Sequence, residues 1–440
     1  MNIDTLLDRF RAFSAKEGFL DDVYLVGGAV RDLIAGTAIK DADLALRGSV
    51  KKPSERFAAS AGASCVVLDE DFEVVRIALG GFFIDISPLR GGTILDDLAG
   101  RDLTINAMAL PLKDWRAGMT GRSGDMIGAF IDPFGGIRDI RHCIVRMVSE
   151  RNLLDDPLRL LRVFRFSATL KFIIETGTLQ SVRDHGRLIR HVPAERVAGE
   201  LRHILAVPFS YKTMREMERS GFLRALFPEM DNLSGDVLTF SLRSYTYGEH
   251  VLCNLPLYFF EHAPFVAEYF REPHRLTGLK LALLLYRSGR TEEAALRLKL
   301  SVRERDYIDM LLKGHPAVAS HERLDGPSKV RLLRRAGDDI CALLIFAIAQ
   351  QLLCQCTDHP LLTFAREMLC LYHDHVIPRM KRLPVLTGDD LIRTFRLTPS
   401  PMFGEVLGAV EDAFIQGEIE SGDEALALAG RLIGDRRKSR

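Results

Sequence analysis

The sequence predicts an α+β protein, with strands and helices alternating over roughly the first 142 residues and an all-helical remainder. Three observations lead there. Up to about residue 140, short apolar runs interleave with helix-like stretches; beyond it strand signals fade and apolar residues recur three and four apart. At 440 residues the chain exceeds the roughly 250 to 300 residues that one hydrophobic core supports, so two to four domains are expected. Pro157, Pro193, Pro208, Pro228 and Pro384 stand where helices should begin or end, and with the change of pattern they put breaks near 142, 205 and 350.

Taken in order, VYLV (23–26) reads as a buried strand and AVRDLIA (29–35) as a helix ended by Gly36. DADLAL (41–46), EVVRIAL (73–79) and FFIDI (82–86) read as strands, and AMALPL (107–112) as helical. PLRLLRVFRFSATL (157–170), AERVAGELRHIL (194–205), LKLALLLYR (279–287) and PSKVRLLRRAG (327–337) carry helical spacing. The segments 27–32 and 135–139 echo each other around a Gly-Gly pair without any periodic repeat, as chance or as two similar turns.

Hydrophobic residues make up 47% and charged residues 27%, the mix of a globular chain rather than a disordered or fibrous one. The start, MNIDTLLDRF, has no apolar signal core, and the longest apolar run, Ile340 to Ala349, is half a membrane span, so a cytoplasmic protein without membrane association is expected. Seven scattered cysteines suggest neither a disulfide framework nor a zinc site, and Cys354 and Cys356 read as plain thiols. The net charge is zero but unevenly spread: residues 138–202 carry 13 basic and 8 acidic side chains, against 15 and 20 before them. A polyanion could be gripped along that stripe and still released.

The densest chemistry lies in VGGAVRDLIAGTAIKDADLAL (26–46). Strand alternation puts Asp41 and Asp43 on one face and Ala42, Leu44 and Leu46 on the other. Two carboxylates so close repel unless a cation lies between them, and hard oxygen donors suit Mg²⁺ held with phosphates, the chemistry of phosphoryl transfer. Upstream, Gly27 and Gly28 let a phosphate approach the start of a helix, Arg31 offers a guanidinium, and Asp32 can fix that Arg or the turn. Alone, a Gly-Gly turn or an Asp-x-Asp strand more often has no such role; the ordered combination favours the triphosphate-and-metal reading. A dinucleotide site would need G-x-G-x-x-G, which is absent.

With GRDLTINAMAL (100–110), IDPFGGIRDI (131–140) and LLDDPLRLLRVFRFSATL (153–170), this segment resembles the class II tRNA nucleotidyltransferase and poly(A) polymerase family, which includes the CCA-adding enzymes. The order and rough spacing match over residues 20–230, and a weaker match runs over 384–419. The resemblance implies a polymerase-β-like nucleotidyltransferase head built on a mixed β-sheet with helices (1–142), a helical neck with a nucleobase-selecting helix (143–205), a helical body (206–350) and a helical tail (351–440), with the helical part reading the acceptor stem and elbow of tRNA by shape and phosphate contact. It implies that Asp41 and Asp43 ligate Mg²⁺ and that Asp85 is a further strand acid of the catalytic site; an exposed strand aspartate is the plainer reading of Asp85.

Arg101, Asp102 and Asn106 offer a cation, an acceptor and an amide near a helix start, and the family uses that motif for the sugar; for Asp102 alone, helix capping is the alternative. Gly100 departs from the usual arginine. Asp155 and Asp156 precede Pro157 at a helix start, where both can serve simply as caps; alternatively, Asp156 and Arg159 lie three apart on one helical face, and their acceptor and donors suit the pairing edge of cytosine or adenine. In the family this pair is the template selecting CTP and ATP; Asp155 stands where glutamate is usual. Arg162 and Arg165 continue the stripe toward triphosphate or RNA, or form a solvated basic face.

Between FFIDISPLR and GRDLTINAMAL runs only GGTILDDLA (91–99), where relatives that add adenosine have a longer flexible loop. The short connection points to the CC-adding branch, with a separate A-adding enzyme acting on the same tRNA. Full CCA addition with CTP and ATP is the alternative. Poly(A) polymerase ranks lower because RGSVKKPSERF (47–57) lacks the expected basic segment, and a non-catalytic RNA-binding protein is disfavoured by the intact acids and arginines. His373-Asp374 lacks the flanking residues of a metal-dependent phosphohydrolase, and the other histidines show no metal-ligand spacing.

Overall fold

Six strands form the sheet that positions the site: β1 (Val23–Val26), β2 (Ala42–Leu46), β3 (Ser64–Asp69), β4 (Val74–Leu79), β5 (Phe82–Pro88) and β6 (Ala109–Pro111), in the order β3-β4-β5-β2-β1-β6. β2 runs parallel to β5 and the other pairs are antiparallel, so the sheet is mixed. The computed structural model describes residues 2–39, 41–119, 128–353, 360–396, 398 and 400–438, with the backbone alone over 435–438; Cys354 and Cys356 lie outside them. It divides into two compact units, Met1–Pro228 and Glu229–Arg440. The expected breaks at 142, 205 and 350 fall inside these units.

The central strands are apolar on the side away from solvent: Leu25, Leu44, Ile84 and Ile86 are fully buried, as their alternation requires. One segment departs from expectation. AMALPL is not helical, and Ala109–Pro111 pairs with β1 as the edge strand β6. Its residues 107 to 110 are all fully buried, a continuous apolar run that periodicity alone assigns to neither class, and Pro111, which cannot donate to a ladder, is tolerated at an edge. β3 was not signalled either; it is the opposite edge, with Val66 and Leu68 exposed.

Around the sheet pack α1 (Ile3–Glu17), α2 (Gly28–Ala35), α3 (Lys51–Ala61), α4 (Ile94–Ala99) and α5 (Gly136–Arg141). Phe10, Phe13 and Phe57 form edge and tilted ring contacts that join α1 to α3. The echoed glycines are two similar turns: Gly27 and Gly135 both take positive φ (68° and 75°) immediately before a helix. After residue 140 strands do not vanish entirely, since β7 (Ile144–Val145) pairs in parallel with β8 (Ile173–Ile174). The helices that follow are α6 (Glu150–Asp155), α7 (Leu158–Leu170), α8 (Thr176–His185), α9 (Ala194–Leu205), α10 (Tyr211–Arg219) and α11 (Phe222–Leu226). Pro157 and Pro193 each stand directly before a helix, as expected.

The described elements of the second unit are all helical. Its interior holds Ile340–Leu353, in which every residue from Ile340 to Ala349 is buried. By length and composition Gly326–Leu353 could cross a membrane, but 61% of its most apolar window lies inside the protein, as in a core helix. The helix Pro273–Leu285 is buried from Thr277 onward, and its Lys280 pairs with Glu249 at 2.6 Å with both side chains at most 3% exposed. A separate cluster from Leu391, Val406, Val410, Phe414, Ala425 and Ala429 packs the last helices.

Candidate functional site

The site begins where β1 ends. The chain turns through Gly27, whose positive φ a side chain would strain, and enters α2 at Gly28. A Cβ on Gly27 would lie 3.1 Å from Asp43 Oδ2 and 3.1 Å from Arg101 Nη1, so this turn fits between an acid and a cation. Asp43 comes from β2, beside β1, and its register partner on β5 is Asp85. The strand pattern holds: Ala42, Leu44 and Leu46 are buried while Asp41 and Asp43 are exposed. Asp43 opens onto the cavity, yet the protein packed around its carboxyl on the other sides disfavours the charged form and raises its pKa; Arg101 opposes that, and the charges of Asp85 and Asp41 push it up further. Three carboxylates thus converge.

Asp85 is not left open. Both its oxygens accept from Arg76, at 2.7 Å each, across the β4–β5 pair. It and Asp41 flank rather than line the cavity, which is about 520 Å³ and takes its walls from the turn, Asp43, the 97–106 segment, α7 and α9. Eleven residues expected at a site do line it: Gly27, Gly28, Arg31, Asp43, Arg101, Asp102, Asn106, Asp156, Arg159, Arg162 and Arg165. Asp32 does not. It accepts from Arg31 Nε and Nη2 at 3.0 and 2.8 Å and so fixes that guanidinium, whose Nη1 donates to Asn106 Oδ1 at 3.0 Å.

Asp102 caps no helix. It is 5% exposed; Oδ1 accepts from the Leu103 amide and Asn106 Nδ2, and Oδ2 from Arg162 Nε at 2.8 Å. Burial alone would raise its pKa, but Arg162 and these bonds hold it below the usual carboxylate range. Arg162 also faces Glu200 at 3.5 Å, and Arg165 pairs with Glu200 at 2.5 Å. Both arginines therefore line the cavity with their charge already shared, not as a solvated stripe. Arg159 donates through Nη1 to the Gly100 and Asn152 carbonyls at 2.9 and 3.1 Å, which holds α7 to the head. Asp155 stays on the surface, 64% exposed.

Several residues escaped the sequence reading. Arg196 of α9 donates to both oxygens of Asp156, at 3.3 and 2.8 Å, from 40 positions away. Asn152 ties α6 to the carbonyls of Ala99 and Arg101 at 2.7 Å each. Phe166 lies under three guanidiniums, those of Arg31, Arg162 and Arg165, at 5.5, 5.3 and 3.8 Å from its ring centre. Asp97, from the short 91–99 connection, holds Arg101 at 2.9 Å and is 4% exposed. The only sequence signal for any of these was helical spacing, as in Asp97 and Arg101 at i,i+4.

In all, seven arginines and four aspartates line the cavity. Such a lining accepts a polyanion, and at Asp43 it meets the acidic cluster that Asp43 forms with Asp41 and Asp85. Asp41 and Asp43 are exposed, mutually repelling oxygen donors, a set that fits a hard divalent cation.

Known proteins share this arrangement of chain. A family model described as the poly(A) polymerase head domain matches residues 23–93, and one described as a probable RNA and SrmB-binding site of polymerase A matches residues 171–233. A CC-adding tRNA nucleotidyltransferase of Synechocystis is 28% identical over 93% of this chain and 93% of its own length. One of Geobacter sulfurreducens is 30% identical over 91% and 90%, and an A-adding tRNA nucleotidyltransferase of Deinococcus radiodurans 30% over 92% and 94%. In fold, the chain is similar to the Thermotoga maritima CCA-adding enzyme solved with tRNA, with a TM-score of 0.68 at 24% identity, covering 98% of this chain and 95% of that one.

Proposed function

The chain belongs to the tRNA nucleotidyltransferase family, and from that membership we propose that it extends the 3′ end of tRNA with CTP as donor, stopping at CC so that a separate enzyme supplies the terminal A. It is an enzyme of nucleotidyl transfer. The observation that carries the reading is a single cavity joining the Gly27–Gly28 turn and Asp43 to Asp156 and Arg159.

The reaction joins the tRNA 3′ oxygen to the α-phosphorus of the nucleotide, breaks the bond to the β-phosphate and releases pyrophosphate. Arg31 and Arg101, held by Asp32 and Asp97, face the turn and bind the triphosphate. Asn106, bonded to both Arg31 and Asp102, is placed for the sugar. Asp156 accepts from the exocyclic amine of cytosine while Arg159 donates to the ring edge, so no nucleic-acid template is needed. Arg196 holds the Asp156 carboxylate in the orientation that bond requires. Asp41 and Asp43 would hold Mg²⁺, which when bound supplies positive charge to the attacking and leaving oxygens. Asp85, paired with Arg76, adds its charge to that acidic cluster without leaving its strand.

Restriction to CTP rests on the 91–99 connection. Instead of a loop it is mostly α4, capped by the Thr93 side chain on the Asp96 amide and tied through Asp97 to Arg101 and the Arg90 amide. So short a tether fixes the base pocket at one size, which favours the smaller pyrimidine. The Synechocystis and Geobacter relatives support this reading, and the A-adding Deinococcus relative keeps the alternative of adenosine addition in view. The test is product length: tRNA lacking its 3′ CCA is incubated with CTP alone, ATP alone, or both. Two added nucleotides with CTP and no further extension with ATP are expected; efficient ATP incorporation onto tRNA ending in CC would remove the restriction.

A further inference from the structure

The second unit brings together three side chains that no spacing in the sequence connects. His262 Nε2 lies 3.1 Å from Cys370 Sγ, across a separation of 108 residues. The same nitrogen lies 3.9 Å from Glu261 Oε1, and the three donor atoms all fall within 4.8 Å of one another. Bonds of about 2.0 to 2.3 Å at tetrahedral angles put zinc-ligand atoms roughly 3.3 to 3.8 Å apart, so the two measured separations bracket what one ion requires. From this geometry we infer that Glu261, His262 and Cys370 form a binding site for one Zn²⁺ or a similar borderline divalent cation.

The donor set selects the metal class. A thiolate and an imidazole are too soft for Mg²⁺ and suit zinc, while a carboxylate completes a set that zinc tolerates. Residues 261 and 262 sit between the helices Leu255–Phe259 and Ala263–Tyr269, and Cys370 is in Pro360–Leu371, so an ion would clip two segments of the second unit. His262 is only 10% exposed and cannot swing away, whereas Glu261 reaches in from solvent at 72% exposure. Asp374 and Glu367 lie near Cys370, and the His373 ring, bonded to Asp374, is 5.8 Å from that of His262. The nearest guanidinium among the described residues of that helix, Arg366, is turned to the Leu257 and Tyr258 carbonyls and the Phe260 ring. Three protein ligands leave a fourth position for water.

The site is tested on the full-length chain, reduced, stripped with chelator and kept in excess Mg²⁺, by titration with Co²⁺. Thiolate-to-cobalt charge transfer in the near ultraviolet reports a cysteine ligand, which Mg²⁺ or a carboxylate-only site cannot produce. One equivalent of Co²⁺ is expected to raise the band and Zn²⁺ to abolish it. Cys370→Ser is expected to remove it, and the exposed, fold-neutral Glu261→Gln to weaken Co²⁺ binding more than about tenfold. No band, or a band unchanged in Cys370→Ser, overturns the site; unchanged affinity in Glu261→Gln overturns the carboxylate's part in it.

Discussion

Gly27 shows how little room the site leaves. An alanine there must take a φ of 68° and meet Asp43 and Arg101 at 3.1 Å, so Gly27→Ala is expected to lower kcat/KM for CTP by roughly 10- to 100-fold, about 1.4 to 3 kcal/mol, with tRNA affinity unchanged. Asp102 carries a pH dependence. Its folded pKa is held below the ordinary value, so its contribution is complete above that value and is lost as pH falls through the folded one. Asp102→Asn should therefore flatten the acid limb of stability below about pH 4 and, by leaving Arg162 with Glu200 as its one acidic partner among the described residues, cost about 1.5 to 3 kcal/mol at neutral pH. Urea unfolding followed by Trp115 checks both, because that single tryptophan is buried in the first unit. At this scale the sequence showed what is local. The Asp41 and Asp43 pair and the glycine turn could be read because strand alternation and adjacency are short-range, whereas Arg196 on Asp156 and Glu200 on Arg165 are contacts made across 40 and 35 positions.

Among the elements, β2 and β5 matter most, since their parallel register puts Asp43 opposite Asp85 and lets the acids converge. Both strands were legible from their alternation. AMALPL was not, because a fully buried apolar run has no polar face to reveal its period, and only pairing with β1 decides it. α7 carries Arg159, Arg162 and Arg165 at three-residue steps, visible in the sequence, but no local pattern marks the Phe166 ring beneath the last of them as part of the site. The 91–99 connection is where length bears on specificity. Inserting four Gly-Ser residues between Gly92 and Thr93 should loosen the tether without touching Asp97, and is expected to raise ATP incorporation onto tRNA ending in CC relative to CTP incorporation. An unchanged ratio, measured by single-turnover product lengths, would mean that the tether does not set the pocket.

At the scale of the whole molecule, a zero net charge hides a basic middle segment and a cavity with seven arginines, which is why composition alone says little about a polyanionic partner. The helical half was legible as helices and not as an assembly: periodicity marks an apolar face but not its partner, so the Lys280–Glu249 pair and the Cys370–His262 contact had no local signature. The most direct measurement of the central claim is single-turnover incorporation of labelled CTP into tRNA lacking CCA by Asp43→Asn and Asp41→Asn, with tRNA affinity determined in parallel. The account predicts a fall of at least about 100-fold in the transfer rate with tRNA binding retained. Turnover near that of the unmodified chain in either variant would contradict it.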